Sequence, residues 1–336
     1  MRKEASDVCF IKNPVDLAYL TGIQMSLGHL FVTQTRGRLF VDGRYFSAVK
    51  DKSPVPVESL KKENEIDFLK GSKRLCFDGS TLTFEETTTL RSICRKAKLK
   101  TESNPHLMKK MRLIKDETEI ALMKKSGRFA YEAYQWLVKK AKPGMSEIEL
   151  ATQLKIYCLK KGAEEMSFEP IVAFGKNTAL PHHHPGKTKL KENDILLFDL
   201  GVVLDGYCSD MTRVHFIGKK DPKLAHLFEV NKAAQKVALA KCRPGTLLKE
   251  LDQAARRVMK AAGLEEYFVH GLGHGIGREV HEYPRINSDG PDRNLPLEAG
   301  MAITIEPGLY LPGKGGVRYE DTVVITPKGY TNLQKE

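Results

Sequence analysis

Three residues of this chain, Pro143, Gly144 and Gly162, recur 101 positions later as Pro244, Gly245 and Gly263. Around them, Lys142-Pro-Gly-Met-Ser-Glu-Ile-Glu-Leu resembles Arg243-Pro-Gly-Thr-Leu-Leu-Lys-Glu-Leu, and Glu164-Glu165 matches Glu265-Glu266. In the first copy Pro143-Gly144 stops one helix. Ser146 and Glu149 then form a capping-box pattern for the next, which runs to Gly162. A period this long is not that of a solenoid. It points to a duplicated domain whose halves face each other. At 336 residues the chain also exceeds what one hydrophobic core usually organises, so two domains are expected.

The repeat extends to groups that carry chemistry. The predicted strand Ile195 to Gly201 holds Asp199, and the predicted strand Met301 to Gly308 holds Glu306. Asp210 follows Asp199, and Glu320 follows Glu306, so each half supplies one strand carboxylate and a second on the next strand. If Asp205-Gly206 is a two-residue turn, Leu204 pairs with Tyr207. Asp199 then lies opposite Thr212, and Asp210 opposite Gly201. Both acids are an odd number of residues from the turn, so both point to one face as diagonal neighbours. Two carboxylates there repel unless a cation or a proton lies between them.

Asp199 follows the apolar run Ile195-Leu196-Leu197-Phe198, and Glu306 follows Ile303-Thr304-Ile305. Burial is expected for both, and an isolated buried carboxylate is costly. Glu320, beside Arg318 and Asp321, reads equally as a plain ion pair; only the duplication argues otherwise. His274 sits among Gly271, Gly273, Gly275 and Gly277, a spacing that does not fit the dinucleotide pattern G-x-G-x-x-G. The glycines are expected to let backbone approach a metal-bound imidazole. Four carboxylates and one imidazole suit a pair of Mn²⁺, Co²⁺ or Zn²⁺ ions better than a structural zinc. At most one of His182, His183 and His184 is expected to be catalytic, and His281 lies just past the glycines.

The remainder reads as a small α/β domain over residues 1–108, followed by the duplicated domain over 109–336. Expected in the first are a helix from Asn13-Pro14 to Leu20 and strands Leu30–Val32 and Leu39–Val41, the second ending in an Asp42-Gly43 turn. Helices are expected over Phe46–Lys50 and Phe84–Lys98, and a linker over Asn104–Lys115. A long amphipathic helix starts at Asp116. No apolar run is long enough to span a membrane, and the first residues lack a secretory signal. Six scattered cysteines with no Cys-x-x-Cys pair read as reduced, mostly buried thiols of a cytoplasmic protein. The formal charge of +12 comes largely from lysines interleaved with acids, as in Leu60-Lys-Lys-Glu-Asn-Glu. That describes a solvated face and no nucleic-acid partner.

Taken together, these motifs resemble the pita-bread metallopeptidases: aminopeptidase P, prolidase and, more distantly, methionine aminopeptidase. The five acid and histidine motifs occur in the family's order. Asn13-Pro14 through Thr21-Gly22, with Val41-Asp42-Gly43-Arg44-Tyr45, resembles the creatinase-type N-terminal domain, which methionine aminopeptidase lacks. The resemblance implies an α+β fold: a pita-bread domain with internal pseudo-two-fold duplication, preceded by a small α/β creatinase-type domain. It implies that Asp199 chelates one metal, that Asp210 and Glu320 bridge two, and that His274 and Glu306 complete the second. A hydroxide between the metals would attack the scissile carbonyl. Glu306 would also move a proton to the leaving nitrogen, His182 would lie near the substrate carbonyl, His281 would steady the scissile peptide, and Arg318 would hold the carboxylates. His183 and His184 depart from the family, where small or varied residues are common.

The implied protein is a homodimeric Xaa-Pro aminopeptidase with two divalent ions, Mn²⁺ first, acting on peptides with proline in second position. An Xaa-Pro dipeptidase is the alternative. A non-enzymatic binding protein or a metal-free creatinase-type hydrolase is disfavoured, because all five ligand positions are retained.

Overall fold

The computed structural model describes residues 7–334. The chain divides into two compact units, Met1–Met111 and Arg112–Glu336. In the first, β1 (Val8–Ile11), β2 (His29–Thr33), β3 (Gly37–Val41), β4 (Val57–Ser59), β5 (Arg74–Phe77) and β6 (Lys100–Ser103) form one sheet in the order β4-β3-β2-β1-β5-β6. Alternation along β1 sends Val8 and Phe10 to a core shared with Phe31, Phe40 and Phe77, and Ile11 to a second one with Leu17, Leu39 and Val41.

Helix α1 (Pro14–Thr21) starts where the Asn13 side chain accepts from the Val15 and Asp16 N–H groups, and stops at Gly22, φ 71°. Asp42 does not make the expected turn. It caps α2 (Gly43–Val49) by accepting from the Arg44 N–H, so this helix begins three residues before the predicted start. Helices α3 (Lys62–Leu69) and α4 (Phe84–Lys96) follow. The expected linker contains a short helix, α5 (Leu107–Met111).

The second unit opens with α6 (Glu117–Lys140) and α7 (Glu147–Lys160), each started by a capping box: Asp116 with Glu119, and Ser146 with Glu149. Then come β7 (Glu165–Met166), β8 (Ile171–Phe174), β9 (Asp194–Leu200), β10 (Val202–Leu204), β11 (Tyr207–Cys208) and β12 (Met211–Ile217). The other half has α8 (Pro222–Leu239), α9 (Leu248–Ala261), β13 (Gly273–Gly275), β14 (Glu282–Ile286), β15 (Ala302–Ile305), β16 (Gly308–Leu311), β17 (Gly315–Arg318), β18 (Asp321–Thr326) and β19 (Gly329–Asn332). The sheets run β12-β9-β8, β11-β10-β7, β14-β13-β15-β18-β19 and β16-β17.

The duplication is visible in the hydrogen bonds. Gly144 N–H donates to the Leu190 carbonyl at 2.8 Å, and Gly245 N–H to that of Leu297 at 2.8 Å. Ile148 reaches Gly186 and Lys249 reaches Arg293, both at 3.0 Å. Gly144, Gly162, Gly245 and Gly263 all have positive φ, so the recurring letters mark helix-end geometry that a side chain resists. Asp205 and Gly206 are both at positive φ, as a two-residue hairpin turn requires. Leu204 pairs with Tyr207, and Thr212 with Asp199. Among the described residues no helix is long and apolar enough to cross a membrane.

Candidate metal centre

Strand geometry alone does not place the acids. Asp199 lies within β9, but Asp210, Glu306 and Glu320 sit in two-residue breaks between β11 and β12, β15 and β16, and β17 and β18. That differs from the strand positions expected for them. At a break the backbone leaves the ladder, and a side chain can be aimed without following the pleat. Asp210, His274 and Glu320 each offer a ligand atom, all within 4.8 Å of one another. His274 Nε2 lies 3.6 Å from Asp210 Oδ2 and 3.3 Å from Glu306 Oε1. Asp199 joins from β9 through Arg318, whose Nη2 donates to Asp199 Oδ2 at 2.5 Å.

Burial gives this cluster its electrostatics. Asp199, Asp210 and Glu320 are each at most 7% exposed. Burial, reinforced by Glu320, Asp199 and Glu306, holds the Asp210 carboxyl well above the usual range. Burial and the Glu306 and Asp199 charges do the same to Glu320, with Arg318 opposing. Burial pushes Glu306 up to about 7. It brings His274 down to about 4, helped by His281. His274 Nδ1 donates to the Gly275 carbonyl at 3.0 Å, which leaves the Nε2 lone pair facing the acids.

Two buried carboxylate oxygens, Asp199 Oδ1 and Glu320 Oε1, meet no hydrogen-bond donor. Such oxygens are costly unless something cationic occupies the space before them. Hard oxygen donors plus one imidazole fit divalent ions.

The predicted Arg318 is the hub of the surrounding network. Besides Asp199, it donates from Nε to Thr212 Oγ1 at 2.9 Å and from Nη1 to Tyr310 Oη at 2.7 Å. Thr212 Oγ1 in turn donates to Glu320 Oε2 at 2.7 Å. One guanidinium therefore orients an acid in each half. Tyr310 Oη in turn lies 3.0 Å from His270 Nε2, and His270 Nδ1 is 2.7 Å from the Gly271 carbonyl. Sequence reasoning passed over Thr212, Tyr310 and His270. The signal for Thr212 was there, since the hairpin register sets it opposite Asp199.

The glycines around His274 do another job than the one expected. His274 is in a strand, β13, and a Cβ on Gly273 would lie 2.1 Å from the Thr304 carbonyl oxygen; on Gly275, 2.3 Å from that of Tyr283. They let neighbouring strands pack backbone to backbone. The His281 ring meets that of His274 edge-on, centroids 4.5 Å apart. His182 is exposed and near enough to His270 and His281 for its charge to lower both.

His183 turns the other way. Its Nε2 lies 2.9 Å from Glu147 Oε2, and Glu147, 0% exposed, also accepts from the Phe174 and Gly186 N–H groups and from Asn177 Nδ2. The Pro181 carbonyl accepts from Arg318 Nη1 at 3.3 Å. The histidine run is thus pinned on both sides of His182.

The chain is also similar to known proteins. The family model described as metallopeptidase family M24 matches residues 121–327, and the creatinase/prolidase N-terminal domain matches residues 1–114. An Xaa-Pro dipeptidase from Pyrococcus furiosus is 34% identical over 100% of this chain and 95% of its own length. The solved prolidase from that organism superposes with a TM-score of 0.89, covering 98% of this chain and 97% of the other. An X-Pro aminopeptidase from Thermotoga maritima, 30% identical, superposes with a TM-score of 0.90 over 98% and 96% of the two chains.

Proposed function

The chain belongs to metallopeptidase family M24 and is a metallo-exopeptidase, and from that premise we propose that it is an Xaa-Pro dipeptidase. Its centre would hold two divalent ions, Mn²⁺ by first preference, through Asp199, Asp210, His274, Glu306 and Glu320. The observation that carries the reading is the convergence of buried acids from both halves on a bare imidazole nitrogen, with two carboxylate oxygens unsatisfied. Ions bound there would act as Lewis acids and bring the pKa of bound water toward neutrality.

The chain's own groups would do the rest. Glu306, whose carboxyl titrates near 7 before ions bind, is suited to carry a proton toward the leaving prolyl nitrogen. His182 and His281 would donate beside the scissile carbonyl, and burial lowers the pKa of His281. Arg318 keeps Asp199 and Glu320 fixed while charge develops. Proline's tertiary amide offers no N–H to grip, so recognition must rest on ring shape and on the charged ends of the substrate.

Resemblance to the Pyrococcus dipeptidases shifts the preference from aminopeptidase to dipeptidase. A charge supports the same choice. Arg285 is exposed on β14, is the register partner of His274 and lowers the pKa values of His274 and His281, which suits it to meet the free carboxylate of an Xaa-Pro dipeptide. The aminopeptidase reading is second and rests on the Thermotoga likeness.

Metal-reconstituted protein assayed on Xaa-Pro and on Xaa-Pro-Xaa separates the two. The dipeptide should be cleaved with the higher kcat/KM, and Arg285→Ala should raise its KM about tenfold, roughly 1.4 kcal/mol. Preference for the tripeptide would favour the aminopeptidase, and no metal-dependent cleavage of either peptide would reject both.

A further inference from the structure

Cys9 and Cys76 stand apart from the other cysteines. They are register partners on the adjacent parallel strands β1 and β5, and their sulfurs are 2.8 Å apart. That is well inside the contact distance of two non-bonded sulfurs. Neighbouring strands run about 4.8 Å apart, within the roughly 4.4–6.8 Å between Cα atoms that a disulfide spans. We propose that Cys9 and Cys76 form an oxidation site that closes to an intramolecular disulfide in the folded protein, with a hydroperoxide as the oxidant.

The pair is selective for physical reasons. Cys9 is half-buried, whereas Cys94, Cys158, Cys208 and Cys242 are buried. Burial pushes Cys94 up to about 11, and Cys158, Cys208 and Cys242 up to about 12. The hydrogen bond from Cys76 instead lowers Cys9. Thiolate is the nucleophile, so Cys9 reacts first. Its sulfur attacks one peroxide oxygen, the O–O bond breaks, and the departing oxygen leaves as water, giving the sulfenic acid. The Cys76 sulfur then attacks the Cys9 sulfur, the S–O bond breaks, and the hydroxyl leaves with the Cys76 proton as a second water. In sum, two thiols and one hydrogen peroxide give one disulfide and two waters. The bond ties β1 to β5 across 67 positions of chain.

The full-length reduced protein, treated with one equivalent of hydrogen peroxide and then alkylated, tests this by intact mass and tryptic mapping. The expected product has lost two hydrogens and yields peptide Glu4–Lys12 joined to Leu75–Arg91, with the other four cysteines alkylated on denaturation. Dithiothreitol should restore the starting mass. In Cys76→Ser the same dose should leave oxygen adducts on Cys9 and no cross-link. Retention of six alkylatable thiols, oxidation spread over all six, or only intermolecular cross-links would overturn the proposal. The wild-type measurement needs no variant to fold.

Discussion

At the scale of single residues, one neutral hydroxyl joins the two halves of the centre. Thr212 accepts from Arg318 and donates to Glu320, so it fixes both the direction of a cation and the rotamer of an acid. Partners of this kind typically govern metal affinity about 10–100-fold. Thr212→Val keeps the shape and removes both hydrogen bonds. Divalent-ion affinity, measured by calorimetric titration, is expected to weaken by about that factor while the far-UV spectrum stays the same; unchanged affinity would remove Thr212 from the centre. Glu306→Ala should abolish turnover and weaken metal binding, and a variant with full kcat would contradict its assigned role. The acids could be read from the chain because Asp199 and Glu306 each follow an apolar run, and Asp210 and Glu320 each come next after one of them in the two halves of the duplication. Tyr310 and His270 could not, since Tyr310 matters through its bond from Arg318 and His270 through its bond to Tyr310, and no local pattern encodes either contact.

At the scale of elements, the start of α7 holds a segment that its own sequence does not. Glu147 gathers hydrogen bonds from Phe174, Asn177, His183 and Gly186, and backbone bonds from Glu147 and Ile148 to Thr188 and Gly186 close the same seam. His183 is thus an anchor, and its neighbour His182 is left toward the other histidines. His183→Ala is expected to lower kcat/KM on an Xaa-Pro dipeptide about tenfold, the scale of one lost charge-assisted hydrogen bond. Metal affinity should be unchanged, and His183→Gln, which keeps a donor, should recover much of the loss. Equal activity of the alanine variant and wild type would show that the anchor does not position His182. The sequence foretold the Ser146–Glu149 capping box and the hairpin because these are local. It misread Asp42-Gly43 because a turn and a helix N-cap favour the same residues.

At the scale of the whole catalytic unit, duplication brings together four acids, two from each half, and the cost shows in their titration. Unfolded Asp and Glu release their protons near pH 3.9 and 4.3. In the folded chain Glu306 holds its proton to about 7, and Asp210 and Glu320 stay well above their usual range. Over that span the native state binds more protons than the unfolded one, so stability falls as pH rises. His270 and His274, lowered to about 4, act in the opposite sense, but only below their unfolded value of about 6.5. Above it the acids alone remain of these five groups. The Tm of EDTA-treated protein is therefore expected to fall between pH 6.5 and 8. Divalent ions need the deprotonated acids and bind only the folded state, so the Tm increment from a fixed Mn²⁺ concentration should be larger at pH 8 than at 6.5. Thermal melts with and without Mn²⁺ read both effects. A metal-free Tm that climbs over this interval, or an increment that shrinks, would mean that these buried acids are not where the ions bind.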